Sequence, residues 1–122
     1  MSKKTIVTDK PYILQPSPRA AKKLQVIVPQ LDGSYLAIVF GNTGYSDFLS
    51  HGSELRKFNY IRRHQSREDW TDINRAGTWS KYLFWNKPTL KESVADIEKT
   101  FGIKIEMRKN WSPPPENTRN YN

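Results

Sequence analysis

Leu24-Gln25-Val26-Ile27-Val28, then Asp32-Gly33, then Tyr35-Leu36-Ala37-Ile38-Val39-Phe40 is the stretch on which the fold turns. Leu24, Val26 and Val28 alternate with Gln25 and Ile27, which is the two-residue period of a strand. Asp32-Gly33 is a type I′ turn candidate, because glycine accepts positive φ at no steric cost. The run 35–40 is apolar on both faces, so each side of that strand needs a cover. Gly41 and Gly44 end it. The reading is a β-hairpin buried on two sides.

Working toward the C-terminus, period and caps predict three short helices. Ser53 caps one that runs to about Gln65, with Leu55, Phe58 and Ile61 expected to face inward. A second runs from about Arg75 to Trp85. The third begins at Thr89-Leu90-Lys91-Glu92, a capping box in which Thr89 and Glu92 satisfy each other's orphan amides. Leu90, Val94, Ile97 and Phe101 then form one stripe, with Gly102 at the position that favours a left-handed residue. Ile103 to Met107 alternates and is the candidate third strand. The fold class expected is α+β: a β-hairpin, with that third strand, packed on three helices.

Both ends read as extended arms around this unit. Pro11, Pro16 and Pro18 remove backbone donors from the N-terminal segment. Pro113-Pro114-Pro115 favours polyproline II, and the polar residues after it have little apolar area to bury. The expected organisation is an arm at 1–21, a domain at 22–107 and a Pro-rich arm at 108–122. Charge follows the same division: residues 1–30 hold six basic side chains against one acidic, whereas residues 31–70 hold five of each. A basic arm suits an acidic partner surface or phosphate. Lys3, Lys4, Lys10 and Arg19 on one arm, with Trp111 and Tyr121 on the other, are the expected partner-binding residues.

Composition removes several kinds of chemistry from the 122-residue chain. It contains no cysteine, hence no disulfide framework, thiolate zinc site or cysteine nucleophile. No apolar run approaches the ~20 residues of a membrane span. The start, Met1-Ser2-Lys3-Lys4-Thr5-Ile6-Val7, lacks the apolar stretch of a secretory signal. With aromatics at 12% the chain has material for a core that disordered chains lack.

Catalytic and metal-binding patterns are sparse. Asp47 precedes His51 by four residues and Glu68 follows His64 by four, but nothing ties the two pairs together, so no metal and no cofactor are expected. There is no Gly-x-Ser-x-Gly elbow. Gly41-Asn42-Thr43-Gly44 has no Walker lysine and reads as a turn. Glu68, Asp69 and Asp72 cluster around Trp70, a pattern that a solvated loop with one anchoring indole explains. A non-enzymatic protein is therefore expected. Arg56, Tyr60, Arg63 and Arg67 fall at i, i+4, i+7 and i+11, a basic stripe holding an aromatic, and are the candidate phosphate-binding residues. Trp70, Trp79 and Trp85 read as core.

Phe40-Gly41…Gly44-Tyr45-Ser46-Asp47-Phe48…His51, Tyr60…Arg63-His64, Glu68…Trp70 and Ala76-Gly77…Ser80-Lys81…Leu83-Phe84-Trp85-Asn86-Lys87-Pro88-Thr89-Leu90 occur in that order. Over about residues 36–105 this pattern resembles a family of small uncharacterised proteins encoded by large nucleocytoplasmic DNA viruses of algae and amoebae. Arg75 departs from the pattern, standing where a small or hydroxyl residue would cap the second helix. The resemblance brings no catalytic residues, but it implies a virion setting. The expected function is that of a minor capsid or cement protein, made in the host cytoplasm, that links major and minor capsid proteins through its arms. The alternative is a basic nucleic-acid-binding protein associated with viral DNA. The anionic inner membrane is a further expected contact for the basic surface.

Overall fold

The computed structural model describes residues 6–121. Five strands and four helices follow in the order β1 (Tyr12–Pro16), β2 (Lys22–Pro29), β3 (Tyr35–Asn42), α1 (Phe48–His51), α2 (Glu54–His64), α3 (Ala76–Phe84), α4 (Leu90–Phe101), β4 (Ile105–Met107) and β5 (Thr118–Asn120). The strands make one mixed sheet in the order β4-β1-β2-β3-β5. The α+β class and the β2–β3 hairpin match the sequence reading, and the sheet is larger than the expected two or three strands.

The hairpin pairs Val26 with Ile38 and Val28 with Leu36. Its turn differs from the type I′ expectation, which requires positive φ at both central residues. Only Gly33 has it, at φ 89°. The Gly33 amide donates to Gln30 O, while Asp32 Oδ1 accepts from the Ser34 amide at 2.9 Å. The aspartate stabilises the connection with its side chain and keeps an ordinary backbone.

The reading of the chain ends as arms is corrected at two places. Residues 12–16 form β1, antiparallel to β2, with Tyr12 and Leu14 buried. Pro16 sits at the end of that strand, where the missing donor costs least. Residues 118–120 form β5, parallel to β3. The expected third strand exists as β4 but joins β1, in parallel, and not the hairpin.

Between β4 and β5 the chain crosses the back of the sheet. The Arg108 amide donates to Leu14 O, Trp111 Nε1 donates to Gln25 Oε1, and the Tyr35 amide donates to Asn117 O, so the segment passes β1, β2 and β3 in turn. The Pro-rich segment is thus a strap. Gln15 and Gln25 are buried beneath it and joined by a 2.9 Å hydrogen bond. Gln15 also donates to Ser112 O and accepts from the Ser112 amide.

The front of the sheet carries the helices. Tyr12, Leu14, Val26, Val28, Leu36, Ile38 and Phe40 meet Trp79, Leu83, Val94 and Ile97 in one apolar cluster. Trp79 is fully buried, its indole N–H donating to Ile73 O at 2.8 Å. For α4, Thr89 Oγ1 accepts from the Glu92 amide and its hydroxyl donates to the Glu92 carboxylate, a cap that replaces the reciprocal half of the expected box. Gly102 closes the helix at φ 70°. Arg75 starts α3 without a side-chain cap, its guanidinium held by Asp72 at 2.9 Å.

Helix α2 begins at Ser53, whose hydroxyl accepts from the Arg56 amide as expected. Of the three residues expected to face inward, Ile61 is half-buried and the other two turn outward. Leu55 is 69% exposed and Phe58 60% exposed, while Tyr60 is buried. Ring stacking accounts for the choice. Tyr60 lies parallel to Trp85 at a centroid distance of 4.4 Å, and His64 stacks on Tyr60 at 4.2 Å.

Candidate functional site

A cleft of about 360 Å³ opens where the end of the hairpin meets α2 and α3. Lys22 and Lys23 enter it from β2, Asn42 from the end of β3, Tyr45 to Asp47 from the following loop, Arg63 and His64 from α2, and Ser80 from α3. Two glycines allow these elements to approach. At Gly41, φ is +79° and a Cβ would strike the Phe84 ring; at Gly77, a Cβ would strike the Glu68 carboxylate. Lys22 bonds Asn42 Oδ1 at 2.6 Å, while Lys23 pairs with Asp47 at 2.5 Å and also donates to Tyr45 O.

Asp47 has a double task. Its Oδ1 accepts from the Ser50 amide to cap α1, and its Oδ2 holds Lys23. The loop carrying Tyr45 is thereby tied to the sheet, yet the Tyr45 ring is 72% exposed at the rim of the cleft. Arg63 lines the same cleft, and its guanidinium has no hydrogen bond or ion pair among the described residues.

Glu68 fixes the imidazole of His64. The Nδ1–Oε2 distance is 2.6 Å, and the other carboxylate oxygen accepts from Trp70 Nε1 at 2.8 Å. An ionised carboxylate only accepts, so Nδ1 carries a proton, leaving Nε2 to accept when the ring is neutral and donate when it is charged. Burial, followed by the negative charge of Glu68, pushes the Tyr60 phenol far above its usual range. Tyr60 is therefore neutral and acts as a platform for the imidazole. Burial also lowers the Lys81 pKa, with Asp96 opposing the shift. Its ammonium lies 4.2 Å from the Tyr82 ring centroid and 5.4 Å from that of Trp70.

The stripe read from the sequence divides here. Arg63 enters the cleft, Tyr60 is buried behind it, and Arg56 and Arg67 remain exposed on its flank. Tyr60 has no free face for a base, and the exposed aromatic at the cleft is Tyr45. Of the expected arm residues, Lys3 and Lys4 lie outside the described residues. The ammonium of Lys10 is 5.9 Å from the Tyr35 ring, and Arg19 is exposed in the turn between β1 and β2. Trp111 and Tyr121 attach to their own sheet, through Gln25 and through Ala37 O, though Trp111 stays 42% exposed.

The histidines are not neighbours. His51 lies 5.4 Å from Trp85, and the Trp85–Tyr60 stack separates it from His64. Its Nδ1 accepts from the Ser53 amide. Among the described residues no three His, Cys, Asp or Glu side chains come together as a metal-binding group. A second concavity of about 390 Å³ contains Tyr12, Asp72, Asn74 and Arg119. Its polar groups are largely engaged: Gln30 bonds Asn74 across it, and Asp72 pairs with Arg75 beside it. The first cleft is the better candidate because it keeps an unpaired guanidinium and an exposed ring.

Sequence reasoning named Arg63 as a candidate phosphate ligand, weighed Asp47 and His64 only within two separate carboxylate–histidine pairs, and missed Lys22, Lys23 and Tyr45. One signal for them was present: a lysine pair opens the strand whose partner runs into the Gly41–Gly44 loop, so the hairpin register brings these residues to one end of the sheet.

Residues 12–64 match a family of unknown function, DUF5754. The matched segment runs from β1 to the end of α2 and supplies the sheet side and the α2 side of the cleft. No curated protein and no solved structure matches the chain.

Proposed function

We propose that the chain binds single-stranded nucleic acid through this cleft. The supporting observation is the convergence of unpaired Arg63, the lysines of β2 and the exposed Tyr45 ring at one concavity. A guanidinium and ammonium groups suit backbone phosphates, and an exposed ring gives a base a sequence-tolerant stacking surface. Arg56 and Arg67 extend the positive field along α2, and the formal net charge of +8 favours encounter with a polyanion. His64, held by Glu68, adds a directed hydrogen-bonding group.

The test is fluorescence anisotropy of a labelled DNA oligonucleotide across a salt series. Affinity should fall steeply as salt rises, and Arg63→Glu should both weaken binding and flatten the slope. Tyr45→Ala should cost about 5- to 150-fold, the equivalent of one stacked base at about 1–3 kcal/mol. Absent binding at low salt, or binding indifferent to both variants, would reject the proposal.

A place in the virion of a large DNA virus is compatible with this activity. Linkage by free arms has less support, because β1, the strap and β5 engage much of both terminal segments within the chain's own sheet. Fractionation of purified virions into shell, membrane and DNA core, with this chain followed by mass spectrometry, separates the two roles. Retention with DNA and release by salt favours the nucleic-acid reading; release with the shell favours the linker.

A further inference from the structure

The imidazole of His64 is fixed more firmly than a half-buried histidine at a helix end requires. Tyr60 stacks on one of its faces and is itself stacked on Trp85, which sets the plane of the ring. Glu68 holds Nδ1 and is in turn held by Trp70 Nε1, which sets the rotation of the ring within that plane. Gly77 leaves the room in which that carboxylate sits, since a Cβ there would strike Glu68 Oε1. What remains free is Nε2. It makes no hydrogen bond among the described residues and is open to solvent, and His64 lines the cleft beside the unpaired Arg63. A carboxylate on one ring nitrogen and an open second nitrogen make the arrangement of a general base. His51 is the contrast: its Nδ1 accepts from the Ser53 amide, and its Nε2 is buried without a partner.

We propose that His64 is the general base of a ribonuclease site, taking the proton from a 2′-hydroxyl of RNA bound in this cleft. The proposal rests on the nucleic-acid reading above and names the strand on which the site acts. Two observations select RNA. No protein nucleophile is attached to the base: Ser46 and Ser80 line the cleft, yet neither hydroxyl bonds Nε2. The nucleophile then comes with the substrate, and RNA carries one beside each phosphate. The second observation is Arg63, unpaired in the same cleft, which suits a phosphodiester that gains negative charge as it is attacked. In the step, Nε2 takes the 2′ proton, the 2′ oxygen bonds to phosphorus, and the bond from phosphorus to the 5′ oxygen breaks. The 5′ oxygen takes a proton from water, and the imidazolium returns one to water. The products are a 2′,3′-cyclic phosphate and a free 5′-hydroxyl, with no further reactant consumed. Glu68 is a positioning residue, since it keeps the proton on Nδ1 and leaves Nε2 to accept. The expectation of a non-enzymatic protein rests on motifs, whereas this pair is oriented by packing.

The experiment offers the full chain two labelled oligonucleotides of one sequence, one RNA and one DNA. The RNA should be cut, with cyclic phosphate ends found by mass spectrometry, and the DNA should only bind. His64→Ala should slow cutting by about 10²- to 10⁴-fold. It should weaken DNA binding, read by anisotropy, by about tenfold at most, the worth of one hydrogen bond. Glu68→Ala should slow cutting by about tenfold or more, and nitrogen NMR should show the His64 ring losing its single Nδ1–H tautomer, which a merely structural role would not produce. Circular dichroism reports whether each variant retains the fold, and His64→Gln replaces the alanine variant if that one does not. Equal cutting by the parent and a folded His64 variant would overturn the proposal, as would equal cutting of RNA and DNA. Binding of both strands with neither cut would overturn it while leaving the nucleic-acid reading in place. Binding of neither strand would reject both.

Discussion

The two faces of the sheet are covered by different means. The front is closed by helices whose apolar side chains interlock around Trp79, whereas the back is closed by one strap held through the amides of Gln15 and Gln25. Apolar burial is strong but non-directional. A buried amide is costly unless every partner is in place, and that cost gives the back its register. The front should therefore carry most of the stability, and the back should determine where residues 108–117 lie.

The largest effect expected from this contrast is at Trp79. Trp79→Ala should cost about 3–5 kcal/mol, through lost burial and a cavity between Tyr12 and Phe40. Urea denaturation measures it, and a loss below about 1 kcal/mol would show a front face able to collapse around the gap. Gln25→Ala comes next. It removes the acceptor shared by Gln15 and Trp111, and should cost about 1–3 kcal/mol. Hydrogen exchange locates the damage: amides of residues 108–121 should exchange faster while those of α3 and α4 stay protected. Uniform acceleration would mean that the two faces unfold as one unit.

Alkaline titration tests the front by another route. Burial raises the Tyr12 phenol to about 12, and burial with the Glu68 charge raises Tyr60. Both folded values lie above the unfolded value near 10, so their contribution is complete below that pH. Stability should decline as pH rises through 10 toward 12 and beyond, because only the unfolded chain ionises readily in that window. Tyr12→Phe should lower stability at neutral pH by about 1 kcal/mol, through loss of the hydrogen bond to Val7 O, and should flatten the alkaline decline. An unchanged pH profile in that variant would remove Tyr12 from the account.

The same division explains what the sequence disclosed. The hairpin, the Ser53 cap and α4 were legible because their signals are local: alternation, a hydroxyl before a helix, a glycine after one. β1 and β5 were not, because each is short, lies near prolines and makes a parallel pairing distant in sequence. The strap was hidden for a related reason. Gln15 and Gln25 look like solvent-facing residues until Ser112 and Trp111 are placed over them. The requirement that both faces of 35–40 be covered was readable, but the identity of the second cover was not. At the cleft, the arginine stripe was readable from spacing alone. The turn of α2 that separates Tyr60 from Arg56 and Arg67 depends on Trp85, a long-range partner.

The smallest expected effect examines that turn. If Leu55 and Phe58 were inward, as apolar periodicity suggested, replacing both with serine would cost several kcal/mol. With Tyr60 stacked between Trp85 and His64, both side chains are already in water, and each substitution should change stability by no more than about 0.5 kcal/mol. Tyr60→Ala should be severe by comparison, because it takes away a buried ring and the support of the His64 imidazole. Urea denaturation of the double serine variant and of Tyr60→Ala therefore orders the faces of α2 directly. A near-neutral double variant beside a strongly destabilised Tyr60→Ala places the helix as described. The reverse order would turn α2 over, withdrawing Arg63 and His64 from the cleft and Leu55 and Phe58 from the surface together.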